Sequence, residues 1–227
     1  MKPLIVISYA TKRAGLLDIY ERQLADAGID FYLCPILPLT TWEQLSTIGF
    51  TIGMVREMLD RFKDYEHIVF TDAHDMLFFG TQEEVKGKLP AIGVLMAAEA
   101  NLYPNIQLFR QICLHTPPTI WKFANGGIFG GNRDSLSEWA DACEYLSRSH
   151  QDEINQAFYN RLMAQGMQPM KMDHDTELFF CMFGLSTLLK RDKDRPWNYV
   201  TNTYPNFIHF NGKTDPSGFL KEYSLTA

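Results

Sequence analysis

The sequence lacks the patterns that identify several common kinds of site. Its four cysteines are scattered along the chain and form no C-x-x-C pair, so the sequence indicates neither a zinc site nor a disulfide framework. Reduced cysteines in a cytosolic protein are the simpler interpretation. Glycine patterns of the G-x-G-x-x-G and Walker types are also missing, which removes the usual sequence signals of dinucleotide and P-loop sites.

Long apolar runs and a surplus of positive charge are missing as well. No stretch approaches the roughly 18 apolar residues of a membrane span. The apolar run near the N-terminus is too short for a signal peptide and is followed at once by Lys12 and Arg13. The formal net charge of −6 argues against general nucleic-acid binding, which needs a basic surface, but permits a local basic pocket for one diphosphate. We therefore expect a cytoplasmic protein without a membrane span.

The order of apolar segments indicates an α/β protein. A hydrophobic content of 46% in 227 residues is enough for one domain with a substantial core. Residues 4–8 and 30–33 have the character of strands, and an amphipathic helix is predicted between them at 16–27. This β-α-β opening predicts a mostly parallel central sheet flanked by helices, with a small antiparallel element near residues 126–131. We expect residues 1–227 to form a single domain.

An apolar strand that ends in two acids is the most informative stretch. The run Ile68–Phe70 has the β-branched and aromatic character of a buried strand, and Asp72 and Asp75 follow it. Carboxylates there are costly to bury unless a partner offsets their desolvation, and a divalent cation is the usual partner. Open α/β sheets bind ligands at this edge. The alternative is that both acids only cap the turn after the strand, as aspartate often does.

Three later stretches carry further polar or glycine-rich patterns. Residues 124–132 contain four glycines around two bulky apolar residues, a pattern that lets the backbone approach a ligand or form strand bulges. Asp152 and Glu153 are predicted to open a helix, where acids also interact favourably with the helix dipole. His209 lies near the end of a short apolar strand that Lys213 follows. A single histidine on an apolar strand is more often an ordinary core residue than a ligand.

The sequence also predicts several local elements. Helices are expected at residues 52–63 and 82–88. Residues 102–124 are predicted to be irregular, and loops of that length inside a compact domain tend to be functional. The capping-box pattern from Ser135 to Glu138 is predicted to start a further helix.

Taken together, these stretches resemble the glycosyltransferase domain of procollagen lysyl hydroxylases and the related collagen galactosyltransferases, within the GT-A class. The resemblance covers about residues 4–213. Each of its motifs is short and weak by itself, but their occurrence in this order is specific. They are Phe70-Thr71-Asp72-Ala73-His74-Asp75, Ala98-Glu99, the Gly-Gly-x-x-Gly stretch, Asp152-Glu153 with Gln156, Met172-Asp173-His174, and His209-Phe210-Asn211-Gly212-Lys213.

The resemblance implies a GT-A fold and a metal-dependent glycosyltransferase that moves a hexose from a UDP-sugar to a hydroxyl acceptor. It implies that Asp72, Asp75 and His209 bind Mn²⁺ or Mg²⁺. It also implies the following positions for other residues: Ser8, Tyr9 and Thr11 near the uridine and ribose, Asn125, Gly126 and Gly127 at the donor sugar, Gly212 and Lys213 at the diphosphate, and Asp152 and Glu153 as the catalytic pair. Independently of the resemblance, two carboxylates and one imidazole suit Mn²⁺ better than Ca²⁺ or structural zinc.

The chain departs from the family pattern at three places. Asn125 stands where the family commonly has serine, Glu153 replaces the second aspartate, and Tyr103-Pro104 replaces Trp-Pro. The donor sugar and the acceptor therefore stay open. We expect a free-standing transferase of a bacterial or viral kind, whose acceptor is a glycan, a protein or a modified base.

Two other classes compete with this interpretation. A degenerate GT-A domain could bind a nucleotide-sugar without turnover, although the intact set of Asp72, Asp75 and His209 favours an enzyme. A phosphohydrolase of the haloacid dehalogenase type also places acids after a buried strand. It requires Asp-x-Asp, normally at the first strand, so the spacing and the mid-chain position of Asp72 and Asp75 count against it.

Overall fold

The computed structural model describes residues 1–10, 12–35 and 41–225, which form eleven strands and eight α-helices in those ranges. The strands are β1 (Lys2–Ala10), β2 (Asp30–Pro35), β3 (Tyr65–Thr71), β4 (Met76–Phe78), β5 (Val94–Glu99), β6 (Phe123–Asn132), β7 (Lys171–Asp173), β8 (Phe179–Cys181), β9 (Leu189–Asp192), β10 (Arg195–Asn198) and β11 (Phe207–His209). The helices are α1 (Leu17–Asp26), α2 (Trp42–Leu45), α3 (Ile48–Arg61), α4 (Gln82–Lys88), α5 (Phe109–His115), α6 (Arg133–Ser147), α7 (Asn155–Ala164) and α8 (Ser217–Glu222).

A six-stranded sheet in the order β2-β1-β3-β6-β5-β7 forms the centre of the fold. β1 pairs in parallel with both β2 and β3, and β5 pairs in parallel with β7. β6 runs antiparallel to its neighbours β3 and β5. The predicted α/β fold with a mostly parallel sheet is confirmed, and the antiparallel element is the glycine-rich strand β6. β3 is an interior strand, so Asp72 follows a strand that is paired on both sides.

Successive side chains of β1 point to opposite faces of the central sheet, so the strand contributes to an apolar cluster on each face. Ile5 and Ile7 belong to a cluster that includes apolar residues of α3, α6 and α7. Leu4 and Val6 point to the other face and belong to a cluster that includes residues of α1 and α4. All four side chains are buried, and burial of each such side chain stabilises the fold by about 1.5–3 kcal/mol. This packing on both faces of the sheet keeps the carboxyl ends of the strands in fixed positions.

A small three-stranded sheet in the order β4-β11-β8 joins the end of the chain to the segment after β3. β11 pairs antiparallel with β4, where His209 lies opposite Met76. The backbone N–H of Phe210 donates to the carbonyl oxygen of Asp75 at 2.8 Å. Because of this pairing, a histidine from the C-terminal part of the chain lies beside the acids that follow β3.

Local predictions were correct in some places and wrong in others. The helix predicted at residues 82–88 is α4, with Thr81 as its N-cap in a capping box. The segment 102–124, predicted to be irregular, contains a 3₁₀ turn at Ile106–Leu108 and then α5. No helix in the described ranges combines the length and the apolar character that crossing a bilayer requires.

Three helix starts differ from the predicted ones. α3 begins four residues earlier than predicted, because the Thr47 side chain caps it by accepting the N–H of Phe50. α6 begins at Arg133 rather than at Ser135, since Asn132 is the N-cap and its side chain accepts the N–H of Ser135 at 2.8 Å. α7 begins at Asn155, so Asp152 and Glu153 precede the helix instead of forming its first turn.

Candidate metal and donor-substrate site

Three side chains from distant parts of the chain meet at the carboxyl end of β3. His209 Nε2 lies 3.1 Å from Asp72 Oδ2 and 3.3 Å from Asp75 Oδ2. One ligand atom from each residue lies within 4.8 Å of the others. The imidazole is only 3% exposed, whereas the two carboxylates are 36% and 39% exposed. The site is therefore a cluster that is anchored in the core and open on the carboxylate side.

The electrostatics of this cluster favour a bound positive charge. Burial raises the pKa of Asp72 above its ordinary value, against the opposite effect of His209. Burial acts in the same direction on Asp75, but the facing imidazole outweighs it and the pKa of Asp75 is lowered. Burial by itself would lower the pKa of His209, yet the two carboxylates raise it well above its ordinary value. Positive charge between the two carboxylates is thus stabilised, and a divalent cation supplies more of it than a proton does.

The donor set matches an oxygen-preferring divalent ion. Two carboxylates and one imidazole suit Mn²⁺, and carboxylates also suit Mg²⁺. A cluster of thiolates would instead select zinc, but the described cysteines do not form one. Three of them are buried in the core, and Cys113 is partly buried.

Gly127 on β6 is in contact with this cluster. The backbone N–H of Asp72 donates to the carbonyl oxygen of Gly127 at 2.8 Å. A Cβ atom at Gly127 would overlap Asp72 Oδ2 and lie 3.0 Å from His209 Cε1. At the preceding residue, a Cβ at Gly126 would overlap Oδ1 of Asn155. The glycines of β6 are thus needed for the close approach of the strand to the acids and to α7.

A cavity of about 570 Å³ opens beside the cluster, a size typical of small-molecule sites. Most of the residues that the sequence predicted for the metal and the donor lie in its wall. They are Tyr9, Asp72, Asp75, Asn125, Gly126, Gly127, His209, Gly212 and Lys213. The fold therefore brings together residues of β1, β6, β11 and the segments after β3 and β11 around one space.

One of the predicted nucleotide contacts, Ser8, is not among the residues that line this cavity. Ser8 is fully buried, and its hydroxyl is hydrogen-bonded to Thr71 Oγ1 at 2.7 Å and donates to the carbonyl oxygen of Asp72 at 3.3 Å. It supports the backbone beneath the acids, and its contact with the nucleotide stays a prediction. Thr11 lies outside the described residues.

Asp152 and Glu153 are not among the residues that line the cavity. Asp152 is exposed. The carboxylate of Glu153 is bound by the guanidinium of Arg161, whose Nη2 lies 2.8 Å from Oε2 and whose Nε lies 3.3 Å from Oε1. The three residues that follow, Ile154, Asn155 and Gln156, do line the cavity. The catalytic role of Asp152 and Glu153 stays a prediction.

Glu99 lines the cavity although the predicted site did not include it. It is the last residue of β5 and is 4% exposed. Its carboxyl group accepts from Asn211 Nδ2 at 2.6 Å, from Asn125 Nδ2 at 3.4 Å and from Gln156 Nε2. Burial raises the pKa of Glu99 to about 7, although these amides and His209 act to lower it. The available signal was its position as an acid at a strand end, the same signal that identified Asp72.

Known proteins resemble this chain in family and in sequence. A family model described as the PLOD GT domain matches residues 3–223. An uncharacterized protein of Acanthamoeba polyphaga mimivirus, R699, is 27% identical over 158 residues, which cover 68% of this chain and 33% of that protein. The chain therefore spans about a third of the length of this relative.

The fold is similar to that of a solved viral enzyme. The crystal structure of a glycosyltransferase involved in the glycosylation of the major capsid of PBCV-1 matches with a TM-score of 0.53 and 14% sequence identity. The match covers 99% of this chain and 100% of that one. At this identity the similarity concerns the fold, and it extends over the whole arrangement of strands and helices.

Proposed function

Since the chain belongs to the PLOD GT domain family, a family of glycosyltransferases, we propose that it transfers a hexose from a UDP-sugar to a hydroxyl group of an acceptor. The observation that carries the proposal is the meeting of Asp72, Asp75 and His209 in the wall of one cavity. An isolated pair of acids could be a turn cap, but a cap does not need a buried imidazole facing both carboxylates.

In this proposal Asp72, Asp75 and His209 hold one Mn²⁺ or Mg²⁺ ion. When bound, the ion would offset the negative charge that develops on the leaving diphosphate. The imidazole is fixed because β11 is paired on both sides, by β4 and by β8. The carboxylate of Asp72 is fixed through its backbone, which donates to Gly127. Because these side chains are already held in place, they do not have to change conformation when the donor binds.

Lys213 is proposed to bind the diphosphate as a second cation. It lines the cavity together with Gly212, and both residues adopt the left-handed conformation, with φ of 63° and 64°. This conformation is accessible to glycine without strain, and a Cβ at Gly212 would collide with the ring of Phe183. A lysine ammonium is a common partner of phosphate oxygens.

The remaining walls are assigned to the rest of the donor and to the acceptor. We place the uridine and ribose near Tyr9, Ser8 and Thr11, and the donor sugar against Asn125, Gly126 and Gly127. The acceptor is a hydroxyl-bearing glycan, protein or modified base. Its proton is taken by the acidic pair that precedes α7, with Asp152 as the first candidate and Glu153 as the second.

The test is a scan of UDP-sugars with and without Mn²⁺. The purified chain is mixed with UDP-glucose, UDP-galactose and their N-acetyl derivatives, and its melting temperature and the release of UDP are measured. ADP- and GDP-sugars are the matched controls. We expect stabilisation by one or more UDP-sugars only when Mn²⁺ is present, because a ligand that binds the folded state raises its stability, together with slow UDP release.

The outcomes separate the possible functions. Stabilisation without release of UDP, with or without candidate acceptors, would indicate a nucleotide-sugar-binding domain that lacks turnover. Stabilisation that is independent of the metal, or equal for all nucleotides, would contradict the proposed role of Asp72, Asp75 and His209.

A further inference from the structure

The carboxyl group of Glu99 joins three walls of the cavity. Asn125 belongs to β6, Gln156 to α7 and Asn211 to the segment after β11, and each donates a side-chain N–H to Glu99. All four residues line the cavity. Within the described part of the chain, the carboxyl group of Glu99 accepts hydrogen bonds from these carboxamides alone. It is thus not used to cap a helix or to close a loop.

Two of the three carboxamides are fixed at their other end as well. Asn125 Oδ1 accepts the backbone N–H of Gly127 at 3.0 Å, and Asn211 Oδ1 accepts the backbone N–H of Phe183 at 3.0 Å. These bonds define the orientation of each amide, since its oxygen faces a backbone N–H and its nitrogen faces Glu99. Each NH₂ group carries a second N–H, and no hydrogen bond among the described residues uses it.

We propose that Glu99 is a positioning residue for the donor sugar, which it aligns by holding Asn125, Gln156 and Asn211 in fixed orientations. This inference rests on the proposed function, because the sugar wall is the wall to which that proposal assigns Asn125. The free N–H groups of the three carboxamides then face the cavity as hydrogen-bond donors in a constant pattern. Such a pattern is complementary to the hydroxyl oxygens of one hexose and less so to those of an epimer.

The chemistry of the side chain supports this role. Burying a carboxyl group is unfavourable, so an apolar residue at the end of β5 would serve stability better if packing were the only requirement. In its ionised form, which prevails above its pKa of about 7, the carboxyl group of Glu99 offers two oxygens that only accept, and it can therefore receive three N–H groups. A glutamine in its place has one accepting oxygen and an NH₂ group, which would face at least one of the three NH₂ groups. The isosteric change Glu99→Gln should therefore reorient the carboxamides without introducing a buried charge.

Asp173 provides a matched control. It is also a buried acid at the end of a strand, and it accepts three N–H groups, from Glu177, Leu178 and Phe179 at 2.8–2.9 Å. These donors are backbone groups, and Asp173 does not line the cavity. Asp173→Asn thus perturbs a comparable buried acid whose hydrogen bonds do not involve the three carboxamides.

The first experiment compares wild type, Glu99→Gln and Asp173→Asn in Mn²⁺. We measure the dissociation constant of UDP and the hydrolysis of the preferred UDP-hexose and of its C4 epimer. For Glu99→Gln we expect UDP affinity within about threefold of wild type, because the metal ligands are unchanged. We expect kcat for the preferred donor to fall by about tenfold or more and its preference over the epimer to shrink, in line with misplaced hydrogen bonds. Asp173→Asn should keep the wild-type preference.

The second experiment needs no ligand, so it tests Glu99 even if the donor is not a UDP-sugar. The side-chain NH₂ resonances of Asn125, Gln156 and Asn211 are assigned by NMR through single substitutions. We expect them to shift and to exchange faster with water in Glu99→Gln, and in Glu99→Ala, which removes the shared acceptor altogether. In Asp173→Asn they should stay as in wild type.

Failure of the proposed function and failure of the proposed role of Glu99 would give different results. A wild-type chain that neither binds UDP with Mn²⁺ nor hydrolyses any UDP-sugar overturns the proposed function. A wild-type chain that does both, while Glu99→Gln keeps the donor preference and the three NH₂ signals, overturns the role of Glu99 alone. Equal loss of UDP binding and sugar turnover in Glu99→Gln would also overturn it, because the residue would then support the metal site in general.

Discussion

Gly127 is the residue at which a single methyl group tests the candidate metal site. The change Gly127→Ala would place a Cβ against Asp72 Oδ2 and His209 Cε1, so the carboxylate has to move away from the imidazole. Because a metal ligand is displaced, we expect Mn²⁺-dependent UDP affinity to fall by about tenfold or more, which corresponds to about 1.4 kcal/mol or more. Calorimetric titration of UDP with Mn²⁺ measures it. The control is Gly87→Ala on α4, where nothing lies within 4 Å, and wild-type affinity in both variants would contradict the site.

Asp75 is predicted to be essential for the metal and dispensable for the fold. Its side chain is 39% exposed, and Asp72 still faces His209 after the change Asp75→Ala. Against the effect of burial, the facing imidazole lowers the pKa of Asp75, so the variant also loses one attraction when no cation is bound. We expect loss of Mn²⁺-dependent UDP binding together with only a small fall in melting temperature.

The control for Asp75→Ala is Asp60→Ala, which removes an exposed acid from α3. Equal UDP binding by wild type and Asp75→Ala, or by wild type in the presence of a chelator, would show that Asp75 is not a metal ligand.

The sequence predicts some residues of the candidate site from a local pattern and cannot predict others. Asp72 and Asp75 follow an apolar run, and this local pattern is readable without knowledge of the fold. The resemblance to a known family then adds His209, which is far away in the chain. Glu99 carries the same local pattern as Asp72, but its three amide partners lie on β6, on α7 and after β11. Its place in the site depends on packing that no short stretch of sequence contains.

At the scale of elements, the segment before α7 carries two neighbouring acids, Asp152 and Glu153, whose surroundings differ. Glu153 is paired with Arg161, and both side chains are mostly buried, with exposures of 21% and 24%. We expect Glu153→Gln to weaken this pair and to lower the free energy of unfolding by about 1 kcal/mol. Urea denaturation measures the change, and Arg161→Gln should have at least as large an effect, because it removes the same pair and the contact of the guanidinium with the Phe158 ring.

Asp152 has no such pair among the described residues, so its substitution tests catalysis more directly. If Asp152 accepts the proton of the acceptor hydroxyl, Asp152→Asn should lower turnover by about 10²- to 10⁴-fold with little change in stability. Turnover is measured at saturating Mn²⁺ and UDP-sugar. Wild-type rates in both Asp152→Asn and Glu153→Gln would remove the acidic pair from the mechanism.

Elements are predictable where their signals are local. α4 has its capping threonine and its polar sequence within a few residues, and both of its ends were predicted. α5 has only a short apolar pattern, Phe109 and Ile112, between two proline-containing segments. Its stability comes from packing on partners such as Phe123, whose ring centroid lies 5.6 Å from that of Phe109. The start of α6 differs from the predicted one for a local reason: Asn132, at the end of β6, takes the place of Ser135 as the cap.

At the scale of the whole molecule, Asp173 should make stability depend on pH. Burial raises its pKa from 3.8 to about 6, despite the three backbone N–H groups that act to lower it. Between these values the folded chain binds the proton and the unfolded chain releases it. The contribution of Asp173 to stability is therefore fully present below about pH 3.8 and is lost as the pH rises through 6.

The comparison of wild type with Asp173→Asn isolates this contribution. The free energy of unfolding of wild type, relative to the variant, should fall by up to about 3 kcal/mol as the pH rises from about 4 to 7. Urea denaturation at several pH values measures it. The change Asp175→Asn, at an exposed neighbour, should follow the wild-type curve. A relative stability that increases with pH would mean that the folded pKa of Asp173 is lowered, not raised.

The position of β11 in the small sheet also determines when the site can form during synthesis. A ribosome releases the N-terminal part of a chain first, so Asp72 and Asp75 emerge long before His209. β4 is an edge strand whose only pairing in the described structure is with β11, so the segment that carries Asp75 stays unpaired until residues 207–209 have been made. All six strands of the central sheet lie before residue 174. A nascent chain can therefore complete its central sheet while it still lacks the imidazole, and the proposed metal site can be completed only afterwards.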